Sequence, residues 1–388
     1  MIDFSHSPEL EALRNRTRVF IDSVVIPRES EVQANPECLE TVRSELQLQA
    51  KAAGLFLPHM PKARGGLGLS WTELAVILEE AGRSLLGAQA LNASAPDEGN
   101  MHLLDQVASE AQKKLFLEPL CRGETRSCFA MTEPAPGAGS DPKMLQATAS
   151  KTASGWAINA HKWYTTGADG AAFTLVLARA PEGPTIFMVP AGHPGLSLKR
   201  RIGTLDHLAP GGHCELEFED CEVGPELVLG EPGRGFEYAA LRLDPARLTH
   251  CMRWLGIAVR SLEIAIEYAN RRSSFGSLLA DHQAVQWMVA DSQIEIQAAR
   301  LMILQAAWKL DQKQKIRHEA SMTKVFTSEI ADKIVDRAMQ ICGGLGISDD
   351  LPLATFYKEI RPFRIYDGPN EVHRSSIARR VLKAARDA

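Results

Sequence analysis

Apolar positions in the first third of the chain follow a helical spacing. They recur every three to four residues over 10–24 and again over 71–81, which is the period of an amphipathic helix. Ser109 and Gln112 have the spacing of a capping box, and Gly123 supplies a stop for the short helix that follows it. The pattern predicts an α-helical domain over residues 1–125.

Between residues 126 and 235 the pattern changes to short apolar runs. The runs cover 173–178, 185–190, 196–199 and 214–220, and Gly, Pro and Asp residues separate them. Short runs rich in Val, Ile and Phe between turn residues are typical of strands. The sequence therefore predicts a middle β domain.

Helical spacing returns in the last part of the chain. One apolar stripe spans residues 251–269, and a second spans 285–310 with Asp281 as its candidate N-cap. A third helix is expected over residues 319–341. Long stripes on successive helices favour a four-helix bundle over residues 236–388, with a second face available for assembly. The fold class is therefore mainly α with a β domain.

Composition narrows the class of protein. The 388 residues are 45% hydrophobic and 23% charged, with a formal net charge of -5. These values fit a soluble globular protein and give no reason to expect a nucleic-acid partner. The seven cysteines form no C-x-x-C pair, so structural zinc and a disulfide framework are both poorly supported.

The ends of the chain bear on location. The first ten residues are polar and acidic, unlike a signal peptide, and no apolar run approaches the ~18 residues that a membrane helix needs. We therefore expect no membrane insertion and a cytoplasmic location, or an organellar matrix if the chain is processed.

One carboxylate is the leading candidate for chemistry. Asp367 lies in Tyr366-Asp367-Gly368-Pro369, where Gly and Pro predict a turn between helices. A carboxylate held on such a turn can serve as a base. An Asp in a turn can equally be structural, bonding to its own backbone.

Four further segments contain residues suited to a cofactor. They combine glycines, hydroxyls and aromatic rings, which permit close backbone approach, hydrogen bonding and stacking. Each has a structural alternative as a plain turn, a core strand or a helix end. The segments are 129–141, 159–167, 272–283 and 340–346.

In order, these segments resemble the acyl-CoA dehydrogenase flavoprotein family. The matching motifs are T-E-P with G-A-G-S-D, the K-x-W-I-T-type strand, R-x-x-F-G with H-Q, and Q-x-x-G-G. The resemblance implies a helical N-domain, a β-barrel-like middle domain and a C-terminal four-helix bundle, usually in a homotetramer, with a dimer as the other possibility. FAD is then expected between the middle domain and the bundle.

The resemblance also assigns roles to residues. It places the candidate base at Asp367. The substrate contacts that it implies are Ser140, Asp244, Arg247 and Gly368. The cofactor contacts that it implies are Met131, Thr132, Ser140, Tyr164, Thr166, Arg272, Phe275, Gln283, Gln340, Gly343, Gly344, Pro369 and Glu371. Tyr164 and Thr166 would line the isoalloxazine, and Gln340, Gly343 and Gly344 would reach the dinucleotide of a neighbouring subunit.

The implied reaction is α,β-dehydrogenation of an acyl-CoA thioester, as in fatty acid or lipid catabolism. Asp367 would take the α-proton while the β-hydrogen leaves as hydride to flavin N5. The backbone N–H of Asp367 and a ribityl hydroxyl would polarise the thioester carbonyl. Burial beside the acyl chain and flavin is expected to raise the pKa of Asp367. An electron-transfer flavoprotein would then take the electrons.

Three departures keep alternatives open. The family base is usually Glu, so the acid here is one methylene shorter, and the other slot that relatives use holds Ala246. Ala135 and Pro136 form an insertion, and Tyr164 replaces a Trp. A flavin oxidase of the same fold, similar to nitroalkane oxidase, also uses Asp. A non-catalytic member of the family is the third hypothesis.

Overall fold

The computed structural model describes residues 5–387, so the first four residues of the polar amino-terminal stretch lie outside the described residues. The amino-terminal third is helical, as predicted. Its helices are α1 (Pro8–Phe20), α2 (Glu29–Ala34), α3 (Leu39–Ala52), α4 (Trp71–Ala81), α5 (Gly87–Ala90), α6 (Asp97–Val107), α7 (Glu110–Gln112) and α8 (Glu118–Cys121). The capping box of Ser109 and Gln112 is confirmed at the start of α7, and Gly123 has a φ of +72° just after α8.

The middle third forms one seven-stranded sheet, which confirms the predicted β domain. Its strands are β1 (Ser127–Ala130), β2 (Thr148–Lys151), β3 (Trp156–Thr166), β4 (Phe173–Ala180), β5 (Gly183–Pro190), β6 (Leu196–Ile202) and β7 (His213–Val223). The order is β1-β4-β2-β3-β7-β6, and β5 pairs with β4. The antiparallel β3–β7 register brings Thr166 opposite His213.

The last third is a bundle of long helices. It contains α9 (Gly235–Ala269), the small hairpin of β8 (Ser273–Ser274) and β9 (Ser277–Leu278), α10 (Gln283–Asp311), α11 (Arg317–Cys342), α12 (Leu353–Ile360) and α13 (Asn370–Asp387). Helices α9, α10 and α11 pack against one another, and α13 packs on α11. The helical, β, helical fold class is confirmed, whereas the boundaries at residues 125 and 235 stay predictions.

The prediction that Asp281 caps the second bundle helix is wrong. Helix α10 begins at Gln283 with His282 at its N-cap. The carboxylate of Asp281 instead accepts the backbone N–H of Leu278 at 3.2 Å. Asp281 therefore belongs to the one-turn 3-10 helix before α10, and the N-cap of α10 lies one residue later than predicted.

The amino-terminal helices and the bundle meet at close backbone contact. A Cβ added to Gly82 would lie 2.1 Å from the carbonyl oxygen of Arg253, and one added to Gly256 would lie 2.2 Å from that of Glu79. Real Cβ contacts are not this short, so α4 and α9 pack with glycine at the crossing. This contact fixes the amino-terminal domain against the helix that carries Asp244 and Arg247.

Three further features of the described residues concern their cysteines, metal binding and membrane helices. All seven cysteines are free. No group of three or more His, Cys, Asp or Glu residues within 5–387 is placed to hold a metal ion.

Over the same part of the chain, no helix combines the length and apolar character needed to cross a membrane.

Candidate active site

Asp367 lies on a tight turn between the 3-10 helix Arg361–Arg364 and α13. Its φ is +55°, and that of Gly368 is +93°. The carbonyl oxygen of Asp367 accepts hydrogen bonds from Nε of Arg247 at 2.8 Å and Nε2 of His373 at 3.1 Å. Nζ of Lys324 donates to the carbonyl oxygen of Gly368 at 2.9 Å. The turn is thus held by residues of α9, α11 and α13.

The carboxylate of Asp367 is mostly buried and has an oxygen without a donor. Its side chain is 18% exposed, and Oδ2 is buried with no hydrogen-bond partner among the described residues. Nε2 of His250 lies 3.3 Å from Oδ2. Burial lowers the pKa of His250 to about 3, so the imidazole is neutral at pH 7 and this contact is not an ion pair.

The pKa of Asp367 is lowered in the protomer, and the rise expected beside a bound acyl chain and flavin stays a prediction. Burial does raise the pKa of Asp367, but the neighbouring His250, followed by Arg247, Arg242 and Lys324, together outweigh burial and leave it below its usual value. Burial in turn lowers the pKa of Lys324 to about 8, partly offset by Asp367. Asp367 is therefore an ionised carboxylate at neutral pH.

Two of these cations were missed by sequence reasoning. Arg242 lies on α9 and donates from Nε to Oδ1 of Asn100 at 2.7 Å, with its side chain buried. Lys324 is fully buried on α11. Each interrupts an otherwise apolar helix face, and a buried cation needs an anion or hydrogen-bond acceptors. That interruption is the signal by which the sequence could have revealed them.

A second carboxylate lies near the turn. Oε1 of Glu98 on α6 accepts from Oγ1 of Thr249 at 2.9 Å, whereas Oε2 is buried without a partner among the described residues. Burial raises the pKa of Glu98, opposed by Arg253, and Asp367 raises it further. Ala246 is buried on α9 and has no titratable group. The pKa values of the two carboxyls thus move in opposite directions, down for Asp367 and up for Glu98.

The β-domain residues expected at the flavin are held together by one buried ion pair. Nζ of Lys162 lies 2.8 Å from Oε1 of Glu133, with both side chains almost fully buried. The same Nζ donates to the carbonyl oxygen of Met131 at 3.2 Å. The backbone N–H of Trp163 donates to the carbonyl oxygen of Thr132 at 3.0 Å. The T-E-P segment is therefore fixed against β3.

Tyr164, which follows Trp163 on β3, is exposed and has a strained backbone conformation. Tyr164 has a φ of +50° and is 49% exposed, with its ring centroid 5.0 Å from that of Trp163. A positive φ in a bulky residue costs free energy and persists only when the surroundings impose it. Thr166 is half-buried beside it, whereas Ser140 lies exposed on the loop after the Ala135-Pro136 insertion.

The remaining predicted cofactor residues lie on open surface of the protomer. Phe275 has a φ of +53° and is 97% exposed. A Cβ added to Gly276, Gly343 or Gly344 would meet nothing within 4 Å. The other exposed members of this set are Arg272, Gln283, Gln340 and Glu371, and Pro369 is half-buried. This surface is therefore open to a bound molecule, whereas the Asp367 turn is packed by residues of its own chain.

The predicted substrate residues on α9 adjoin the base. Asp244 and Arg247 form an ion pair at 2.6 Å, and both side chains are mostly buried. Arg247 therefore contacts both Asp244 and the backbone of the Asp367 turn. Gly368 lies in that turn. A Cβ added to Gly368 would lie 2.9 Å from Nε2 of His373, so the turn has no room for one.

Comparison with known proteins covers the whole chain. Three family descriptions match: "Acyl-CoA dehydrogenase, N-terminal domain" over residues 7–124, "middle domain" over 128–221 and "C-terminal domain" over 233–382. A relative from Mycobacterium tuberculosis, "Probable acyl-CoA dehydrogenase FadE2", is 36% identical and covers 98% of this chain and 97% of its own length.

Other relatives are longer. "Acyl-CoA dehydrogenase family member 11" from Gallus gallus is 38% identical over 87% of this chain, and the match spans 45% of that protein. The chain thus spans about half the length of several relatives that it matches.

Solved structures share the fold. "Structure of a putative acyl-CoA dehydrogenase from Mycobacterium abscessus" is 34% identical with a TM-score of 0.91, covering 99% of this chain and 100% of that one. "PigA with FAD and proline" is 25% identical with a TM-score of 0.87, covering 98% and 99%.

Proposed function

The chain belongs to the acyl-CoA dehydrogenase family, and we propose that it is an FAD-dependent oxidoreductase that introduces an α,β double bond into an acyl-CoA thioester. The observation that carries this proposal is Oδ2 of Asp367, a buried carboxylate oxygen that makes no hydrogen bond within the described part of the chain, on a turn that three helices hold. Such an atom is available to accept a proton from a bound molecule.

The predicted cofactor residues fit FAD by their chemistry. Tyr164 and Phe275 present large exposed rings, and the glycines at 343 and 344 leave bare backbone next to open space. Arg272 supplies a cation for a pyrophosphate, since guanidinium groups match phosphate geometry. Amide and hydroxyl donors complete the set at Gln283, Gln340, Thr132 and Thr166. When bound, FAD accepts the β-hydrogen of the acyl chain as hydride.

Asp367 removes the α-proton in this proposal. Its lowered pKa keeps the carboxylate ionised at neutral pH, so no prior deprotonation step is needed. Substrate binding removes water from the same site, which opposes the stabilisation by Arg247, Arg242 and Lys324 and makes the carboxylate more basic. The three cations then limit how far the pKa rises, and they stabilise the ionised form before the reaction.

The remaining chain groups position the reactants. Arg247 links the acid turn to Asp244, so the proposed thioester contacts and the base share one hydrogen-bonded unit. Two hydrogen bonds on the carbonyl of Asp367 fix the direction of the turn. The backbone N–H of Asp367 is the proposed donor to the thioester carbonyl. This rigidity matters because the Asp side chain is short.

Electrons leave, in this proposal, to an electron-transfer flavoprotein, and the active form is a homotetramer or a dimer. Four large apolar residues lie exposed on α10 at a spacing of seven: Trp287, Ile294, Leu301 and Trp308. Residues seven apart share one face of a helix. An exposed apolar stripe of this length is suited to packing against a second copy.

The test is an anaerobic titration of the purified flavoprotein with acyl-CoA thioesters of different length and branching. We expect the oxidised flavin absorbance to bleach with at least one thioester and to recover on adding an electron-transfer flavoprotein. No bleaching with any thioester, together with peroxide formation from a nitroalkane in air, would instead identify an oxidase. A protein that takes up no FAD would point to a non-catalytic member of the fold.

A further inference from the structure

Two consecutive hydrogen bonds connect Thr166 to a buried carboxylate. Oγ1 of Thr166, at the end of β3, lies 2.9 Å from Nδ1 of His213, the first residue of β7. Nε2 of the same imidazole lies 3.0 Å from Oδ2 of Asp206. The side chains of His213 and Asp206 are only 16% and 14% exposed. Water therefore has little access to these two side chains and does not readily replace either hydrogen bond.

The chemistry of Asp206 assigns the protons along this path. Burial raises the pKa of Asp206, but the hydrogen bond from His213 and the contact with Thr204 oppose burial, and the pKa ends below its usual value. An ionised carboxylate can only accept, so Nε2 of His213 carries the proton. A ring that carries its proton on Nε2 has Nδ1 as an acceptor, and Thr166 then donates its single hydroxyl proton to Nδ1.

The loop that carries Asp206 is firmly fixed to its surroundings. Oε1 of Glu359 on α12 accepts the backbone N–H groups of His207 at 2.5 Å and Leu208 at 3.2 Å. The backbone N–H of Gly167, next to Thr166, donates to the carbonyl oxygen of Gly212 at 2.7 Å. The imidazole therefore holds a defined position relative to the Thr166 hydroxyl.

Two further titratable residues, Glu359 and Tyr366, interact with this path. Burial raises the pKa of Glu359 to about 7. Burial also raises the pKa of Tyr366 well above its usual value, and Asp206 is among the charges that add to that rise. The charge of Asp206 thus acts on the residue that precedes Asp367.

We propose that His213 and Asp206 are positioning residues that fix the Thr166 hydroxyl as a hydrogen-bond acceptor toward the flavin. The inference rests on the proposed function, in which Thr166 lines the isoalloxazine. With its proton given to His213, the hydroxyl offers only lone pairs on its other side. Oxidised isoalloxazine has an acceptor at N5, whereas the reduced ring has an N–H there. An acceptor hydroxyl therefore favours the reduced cofactor and raises its midpoint potential.

The first test is made on the wild-type protein and needs no bound cofactor. Nitrogen NMR of the imidazole side chains in the wild-type protein reports which ring nitrogen carries the proton, and the His213→Ala spectrum identifies the signal. We expect a ring protonated at Nε2 and unprotonated at Nδ1. A proton on Nδ1, with or without one on Nε2, would overturn the proposal, because Nδ1 would then donate to Thr166.

The second test measures the flavin midpoint potential and visible spectrum of the holoprotein. In His213→Ala the hydroxyl is released and can donate to the oxidised ring, so we expect a more negative potential and shifted flavin bands. In a Thr166→Val background the same substitution should add no further shift, since the effect passes through the hydroxyl.

A matched control lies on the same two strands. His161 and Glu215 form another histidine–carboxylate pair between β3 and β7, at 2.7 Å, but His161 is 48% exposed. His161→Ala should leave the potential and the bands unchanged. If His213→Ala shifts the potential equally with and without Thr166, or no more than His161→Ala does, the positioning role is refuted.

A milder substitution guards against loss of folding. Asp206→Asn removes the charge that holds the proton on Nε2, and we expect a shift in the same direction as His213→Ala but smaller. An unchanged potential in Asp206→Asn and His213→Ala together contradicts the proposal. Failure of the proposed function has a different signature, namely a wild-type flavin that no thioester bleaches, whatever tautomer His213 shows.

Discussion

The Asp367 turn and the hairpin tip at Phe275 use the same unfavourable backbone geometry and support it differently. Their φ values are +55° and +53°, and a non-glycine residue in this region costs on the order of 1–3 kcal/mol. At Asp367 the turn is bonded by Arg247, His373 and Lys324. Phe275 is 97% exposed, and a Cβ on the adjacent Gly276 would meet open space.

The difference indicates where each part of the site obtains its order. The acid turn is completed within one chain, so a lone protomer already presents the proposed base. The Phe275 ring at the hairpin tip receives little packing from its own chain, so it is available to a molecule that binds there. We infer that the base is preorganised by the fold and that the cofactor surface is completed by FAD and a second copy.

Removing the charge of Asp367 tests the preorganised half most directly. Asp367→Asn keeps the shape of the turn but cannot accept the α-proton, and general bases contribute roughly 10²–10⁴ in rate. We expect the rate of flavin bleaching by an acyl-CoA to fall by about that factor while FAD content is retained. Stopped-flow absorbance measures it, with the exposed Asp350→Asn as control. Bleaching at the wild-type rate would show that Asp367 is not the base.

Lengthening the acid tests whether the turn is built for Asp. Asp367→Glu keeps the charge but moves the carboxylate by one methylene on a turn that cannot shift to compensate. A misplacement of about 1 Å costs roughly 10²-fold, so we expect bleaching to slow by about 10- to 100-fold. The same stopped-flow assay gives the result. A Glu variant as fast as the wild type would mean that the clamped turn does not set the reach of the acid.

The pH dependence of folding tests the clamp itself. Burial and the charge of Arg247 lower the pKa of His373 to about 4, against the pull of Asp367, whereas an unfolded histidine titrates near 6.5. Between pH 6.5 and 4 the unfolded chain therefore binds a proton that the folded chain does not. Stability is lost as pH falls through this window.

His373→Gln removes this proton while retaining a donor for the Asp367 carbonyl. One pKa unit corresponds to about 1.4 kcal/mol, so the variant should lose about 2 kcal/mol less than the wild type between pH 7 and pH 4.5. Denaturant unfolding at several pH values measures the difference, with the exposed His161→Gln as control. Parallel pH curves for wild type and His373→Gln would contradict a buried neutral imidazole.

The helices and strands could be predicted from the sequence because hydrophobic periodicity is a local property. The spacing over residues 71–81 and the runs at 173–178 and 185–190 depend only on neighbouring positions, and α4, β4 and β5 lie there. The start of α10 was misplaced because Asp281 had two possible N–H partners, and only the three-dimensional turn selects Leu278.

The electrostatics of the site could not be obtained from the same local patterns. Lys324 and Arg242 lie 43 and 125 positions before Asp367 in the chain, yet both lower its pKa. The sequence supplied the motif around Asp367, and therefore a candidate base, but the direction of its pKa depends on which distant side chains the packing brings near. The Thr166–His213 contact has the same origin, since it requires the β3–β7 register.

Replacing the exposed ring tests the other half of the comparison and should have the smallest effect. Phe275→Ser removes little packing from the protomer, and such surface changes alter stability by no more than about 0.5 kcal/mol. If FAD and a second copy complete this surface, FAD should dissociate roughly tenfold faster, which corresponds to about 1.4 kcal/mol. Flavin fluorescence measures the release of FAD, and light scattering measures the association with a second copy.

Val19→Ser, at an exposed apolar position on α1, is the control. Equal FAD release from the two variants would show that the strained hairpin is supported without the cofactor, and the contrast with the Asp367 turn would then disappear.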